Sequence, residues 1–207
     1  MRTSATRLSG NTALRLIAVA VLGVLYTIIR LGGVHAGATT GGVYCHGHKA
    51  TIVGTAGHDV LAGTAGNDVI AALGGSDTVH GGGGNDTVCG GAGNDTLVGG
   101  AGADRMFGGV GADTEEGGHG NDTEQGGGGD DSLEGDQGDD ELDGGTGDDD
   151  LQGDDGNDDL DGGSGDDTED GGDGDDTAVC NAVAGDDDDC QGDEDQSGDD
   201  DGQFRVQ

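Results

Sequence analysis

The feature that most constrains this chain is a nine-residue register. From Gly54 to Val179 it divides into fourteen nine-residue units without one insertion or deletion. Position 4 is glycine in all fourteen units and position 6 is aspartate in all fourteen. Position 1 is glycine in thirteen, with Ala72 the exception, and position 8 is a large apolar residue in ten. Residues 81–98, GGGGNDTVCGGAGNDTLV, are two such units in succession. Disorder needs no register, and an ordinary globular domain does not keep one. A chain of identical short units buries surface by stacking them.

Each column has a physical reading. Positions 1 to 6 read as turn chemistry, because glycine permits positive φ and Asn or Asp tolerates it. Positions 7 to 9 read as a very short strand, with Thr or Val at position 7 in nine units. Side chains alternate along a strand, so an apolar position 8 between polar neighbours faces inward. One turn and three strand residues are not stable alone. Stacked, they pair with the coil above and align their position 8 residues as a thin core.

The aspartate column then needs a counter-charge. Stacking sets identical carboxylates ~4.8 Å apart. Each pair repels by somewhat under ~1 kcal/mol even in the dielectric of water. Repeated through fourteen units, that opposes the fold unless a cation sits between the turns. Carboxylates and turn carbonyls are hard oxygen ligands of the kind calcium takes.

Composition agrees. The chain has 207 residues, 51 of them glycine, with no proline or tryptophan, too little apolar surface for a conventional core. Its net charge of −37 repels nucleic acid and favours cations as partners. Of the 44 acids, 38 lie in residues 108–207.

The GGxGxD unit with an apolar residue two places on resembles the nonapeptide of the repeat-in-toxin family, also called hemolysin-type calcium-binding repeats. The segment TIVGTAGHDVLAGTAGNDVI resembles the first repeats of small exported actinobacterial members. The resemblance implies an all-β fold, a calcium-stabilised parallel β-roll, or β-solenoid. In it two nonapeptides make one coil and calcium lies between turns two repeats apart. It implies as ligands the turn carbonyls and the position 6 aspartates: Asp59, Asp68, Asp77, Asp86, Asp95, Asp104, Asp113, Asp122, Asp131, Asp140, Asp149, Asp158, Asp167 and Asp176. Seven coils would leave at most about twelve Ca2+ sites.

Position 8 departs from the pattern at Glu115, Glu124, Glu169 and Ala178. A carboxylate in the core costs several kcal/mol unless neutralised. Glu115 and Glu124 occupy consecutive repeats and would meet across the roll. The expectation is a weak or broken coil at 108–125, giving two rolls at about 54–107 and 126–161 with a poor C-terminal margin.

The flanks read differently. In residues 1–36 arginines precede an apolar run, Leu16 to Ile29, and small residues follow. That order reads as a secretory signal peptide, with cleavage after Ala36 or Ala38 and no membrane span in the mature chain; the alternative is a membrane anchor, for which the apolar run is short of the ~20 residues a span takes. Residues 37–53 form an N-terminal cap segment, and 180–207 an acidic tail, mostly disordered. An exported chain with four cysteines is expected to pair them, and proximity favours Cys45–Cys89 and Cys180–Cys190 among three pairings. Cys89, at an outward position 9, would let Cys45 strap the cap across the roll. The cluster Cys45, His46 and His48 has a rival reading as a zinc or copper site, weakened by the lack of a second ligand pair.

No HExxH or GxSxG occurs, and residues 37–53 are too few for a catalytic domain before the repeats, so no enzyme is expected. The expectation is a secreted, extracellular protein whose folding follows calcium binding after export. The alternative is a structural or adhesive surface protein in which calcium only rigidifies the acidic region.

Overall fold

The computed structural model describes residues 42–180, 189–191 and 203–206. The signal-peptide expectation lies outside these residues. Every described element is a strand or a turn, and there is no helix among the described residues. Strands from alternate repeats pair in parallel, eighteen residues apart, and form one sheet of eight strands and another of nine. Thr78, for example, pairs with Thr96, and Thr96 with Thr114. Consecutive repeats therefore lie in opposite sheets, and two repeats make one coil of a parallel β-solenoid.

The strands are longer than the column reading suggests. A full one, such as Thr78–Gly83 or Thr96–Ala101, has six residues. It takes positions 7 to 9 of one repeat and 1 to 3 of the next. The turn is confined to positions 4 to 6. Alternation then points both position 8 and position 1 inward, as in Leu97 and Gly99, which are buried. Position 1 is glycine for a packing reason. A Cβ on Gly81 would meet the Asp86 carboxylate and the Gly99 carbonyl, each at 2.6 Å.

Position 4 is glycine because the turns are stacked. Gly75 has φ +118, and a Cβ on it would lie 2.5 Å from the Gly57 carbonyl carbon and 2.8 Å from the His58 nitrogen. Gly57, in the first coil, has no turn beneath it. A Cβ there would meet nothing closer than Thr55 Oγ1 at 3.9 Å. The glycine column is thus a requirement of stacking, not of the isolated turn. Leu73 replaces the usual glycine at position 2 and holds φ at +85, a conformation that disfavours a side chain.

The expected split into two rolls is absent from the backbone. Glu115 pairs with Leu97 on one side and Leu133 on the other; Glu124 pairs with Met106 and Leu142. The register holds because it depends on backbone hydrogen bonds and on positions 1, 4 and 6, all intact through 108–125. The apolar core is what divides. Ile70, Ala72, Val79, Val88, Leu97 and Met106 form one cluster, and Leu133, Leu142, Leu151 and Leu160 a second. Two glutamates separate them. Each buried leucine contributes about 1.5–3 kcal/mol through loss of apolar contact with water.

Both flanks of the repeats pack against the stack. Tyr44–Cys45 and His48–Lys49 form an antiparallel hairpin around His46 and Gly47, both at positive φ. Such a two-residue turn matches the strand twist. Cys45 is bonded to Cys89, with Cα atoms 5.8 Å apart. The His46 ring stacks on Phe107, 3.4 Å between centroids. Phe107 is the cross-strand neighbour of Cys89, so the hairpin lies across the outer face of the nine-stranded sheet. At the other end, Asp189–Gln191 pairs with Thr168–Asp170, and Gln203–Val206 with Thr177–Cys180. The acidic tail thus supplies one strand to each sheet; its remaining residues, and the Cys180 and Cys190 side chains, lie outside the described set.

Candidate metal centre

The position 6 aspartates stand in two columns, one along each edge of the solenoid where the chain turns between the sheets. Each column is linked by a repeating bond. The backbone N–H of one aspartate donates to Oδ1 of the aspartate one coil later. Asp86 N–H reaches Asp104 Oδ1 at 2.7 Å, and Asp104 N–H reaches Asp122 Oδ1 at 2.7 Å. The pattern begins at Asp59 and Asp68 and ends at Asp167 and Asp176, twelve bonds in all. Each of these bonds crosses one gap between stacked turns.

The second carboxylate oxygen sets the chemistry. From Asp77 to Asp158, every position 6 aspartate has Oδ2 buried and without a hydrogen-bond partner. The Asp86 and Asp104 side chains are 2% and 1% exposed. A buried acceptor left unmet is costly, and ten in register do not arise as isolated faults. Beside Oδ2 of eight of these ten, Asp86 to Asp122 and Asp140 to Asp158, lies the position 1 carbonyl of the coil above. A methyl built on Gly99 would meet Asp104 Oδ2 at 2.7 Å and the Gly117 carbonyl at 2.8 Å. Convergent carboxylate and carbonyl oxygens in a site closed to water suit calcium, which takes six to eight hard oxygen ligands. The donor set fits the ion.

Electrostatics point the same way. Burial pushes the carboxyls of Asp113, Asp131, Asp149 and Asp158 up to about 6, and that of Asp140 up to about 7. The hydrogen bond from the preceding coil opposes the rise, and the neighbouring aspartate of the column adds to it. Asp77, Asp86, Asp95, Asp104 and Asp122 are raised as well, again chiefly by burial. A bound divalent cation reverses that balance, since opposite charge favours the ionised form.

The first coil is built differently. Asp59 Oδ2 accepts from the Thr55 N–H at 2.6 Å and the Thr55 hydroxyl at 2.8 Å. Asp68 does the same with Thr64, at 2.7 and 2.8 Å. Threonine at position 2 in these two repeats, where glycine later predominates, closes the oxygen that the following coils leave open. Asp59 and Asp68 are also half-exposed.

Position 5, one of the six positions that read as turn chemistry, forms a second ladder. Its side-chain oxygen accepts from the position 5 N–H one coil later. Asn67 takes the Asn85 N–H at 3.0 Å, and Asp139 the Asn157 N–H at 3.1 Å. The available signal was Asn or Asp at that position in ten units. A further acidic group, Glu134, Asp136 and Asp154, gathers its oxygens within 4.8 Å on the outer surface. Cys45 is not available as a zinc or copper ligand, because its sulfur is in the disulfide.

No curated protein matches the chain. A family model, the RTX calcium-binding nonapeptide repeat, matches four times, at residues 53–88, 90–115, 116–151 and 143–178. Those spans cover the stacked coils and both aspartate columns, and with them the chain belongs to the family of RTX calcium-binding nonapeptide repeat proteins.

Proposed function

We propose that this protein binds several calcium ions in the gaps between stacked turns, and that the ions drive its folding outside the cell. Twelve gaps have an aspartate on each side, which sets the upper limit. The observation that carries the reading is the buried, unpartnered Oδ2 atoms from Asp77 to Asp158 in the two columns. Each ligand in a gap would be a position 6 carboxylate or a turn carbonyl, and the ion supplies the positive charge that lets the carboxylates stack.

Folding follows from the same atoms. Without cations the two acidic columns repel and the thin core has little to set against chain entropy. Binding free energy then becomes folding free energy. Extracellular modules bind calcium at about 10⁻⁴–10⁻³ M, a level that keeps such a chain open where calcium is scarce and closes it where calcium is millimolar. Secretion and the signal peptide at 1–36 belong to this reading, as does a binding role rather than a catalytic one. Flow dialysis with calcium on the full chain tests it. Several ions per chain, and fewer after Asp95→Asn with Asp113→Asn, are expected; binding of no more than one ion would overturn it.

A further inference from the structure

Glu115 and Glu124 stand where the family pattern has an apolar residue, and they are 1% and 0% exposed. Neither oxygen of either carboxyl has a hydrogen-bond partner. Glu169, the third glutamate at position 8, is handled differently. Its Oε1 accepts the Gly162 N–H at 2.6 Å.

The two unpartnered glutamates reach the aspartate columns from the core side. A methyl on Gly108 would meet Asp113 Oδ2 at 2.6 Å, Glu115 Oε1 at 2.8 Å and the Gly126 carbonyl at 2.8 Å. On Gly117 it would meet Asp122 Oδ2 and Glu124 Oε1 at 2.7 Å and the Gly135 carbonyl at 2.9 Å. At an ordinary repeat such as Gly99 the same place gathers two close oxygens, from Asp104 and Gly117. The glutamate adds a third. The Asp113 N–H donates to Asp131 Oδ1 and the Asp122 N–H to Asp140 Oδ1, each at 2.7 Å across one gap, so each glutamate faces the gap that its neighbouring aspartate borders.

We propose that Glu115 and Glu124 are calcium ligands, each adding a carboxylate from the core to one gap. One gap lies between Asp113 and Asp131, the other between Asp122 and Asp140. The proposal rests on the calcium reading above. These two gaps then hold three carboxylates where the others hold two. Calcium affinity rises with ligand charge and site rigidity, so the two sites fill first. They lie at neighbouring levels in the middle of the stack, one on each edge, at the break in the apolar core. The ions replace the missing apolar contacts there, and folding spreads from that coil to its neighbours, as nearest-neighbour coupling in a stack allows.

Calorimetric calcium titration of the full chain at neutral pH tests this against two double variants, Glu115→Gln with Glu124→Gln, and Glu115→Leu with Glu124→Leu. The wild type is expected to bind two ions about tenfold more tightly than the rest. Both variants are expected to lose that class. Leucine restores the apolar column, so the second variant keeps its core where the first fails to fold. A leucine variant that retains the two tight sites overturns the proposal. So does a wild type whose ions all bind with one affinity, although that result leaves the calcium reading standing. A wild type that binds no more than one ion overturns the reading itself.

Discussion

Replacing Asp104 with asparagine should act in opposite directions with and without calcium. Asparagine keeps the shape and keeps an oxygen at Oδ1, so the 2.7 Å bond from Asp86 N–H is retained. What changes is the buried charge, which burial and then the Asp122 carboxylate oppose. Two unit charges ~4.8 Å apart repel by about 1 kcal/mol at the dielectric of water and about 3 kcal/mol at an effective value near 20. Asp104→Asn should therefore stabilise the calcium-free roll by about 1–3 kcal/mol. With calcium, the variant lacks a charged ligand in the two gaps that Asp104 borders. A roughly tenfold weaker site is about 1.4 kcal/mol, so the loss across two gaps is about 3 kcal/mol. The assay is folding followed by circular dichroism along two routes. One drives the calcium-free chain with trimethylamine N-oxide, which strengthens burial; the other titrates calcium. The variant should fold at lower osmolyte concentration than the wild type, yet need more calcium. A variant that is worse along both routes, or unchanged in calcium, would refute the reasoning from the open oxygen.

Other perturbations separate the remaining parts of the account. Gly93→Ala places a Cβ against the turn below at φ +121 and should cost about 1–3 kcal/mol or more. Gly57→Ala, with open space around it, should change stability by less than about 0.5 kcal/mol, and comparing the two urea midpoints in calcium tests whether position 4 is a stacking requirement. Removing the strap with Cys45→Ala and Cys89→Ala should lower stability in calcium by about 2–4 kcal/mol, because the bridge closes a loop of 44 residues. An unchanged urea midpoint would show that the hairpin does not hold the roll. The raised aspartates fix the sign of the pH response. Their folded values exceed the unfolded one, so the stability they allow is full below about pH 4 and is lost as pH rises through the window of about 6 to 7. The calcium-free chain should accordingly gain strand signal on acidification, while a loss of signal would contradict the assignment.

Much of this fold is legible in the columns, for reasons particular to each. Asp in every position 6 and Gly in every position 4 are both consequences of stacking, and stacking repeats the same demand in each coil. Position 8 is readable because a thin core needs one inward apolar side chain per repeat, and the Leu133, Leu142, Leu151 and Leu160 row bears that out. Positions 1 to 3 mislead. Glycine there suggests a turn, but Gly81 and Gly90 are strand residues kept bare because the Asp86 and Asp95 carboxylates occupy the space of a Cβ. The Asn85 and Asn157 ladder escapes notice because its bonds run from side chain to the backbone of another coil, which spacing along the chain does not reveal. Glu115 and Glu124 raise the expectation of a break because position 8 was read as the element that holds coils together. The pairing of Glu115 with Leu97 and Leu133 shows that the backbone ladder does so instead.

The most direct test of the whole account is the far-UV circular dichroism of the full chain, recorded with a chelator and then in millimolar calcium. The chain should show a coil spectrum that converts cooperatively to a strand spectrum as calcium is added, and reverts when the ion is withdrawn. A spectrum that stays coil in millimolar calcium, or one that is already strand in the chelator at neutral pH, would contradict it.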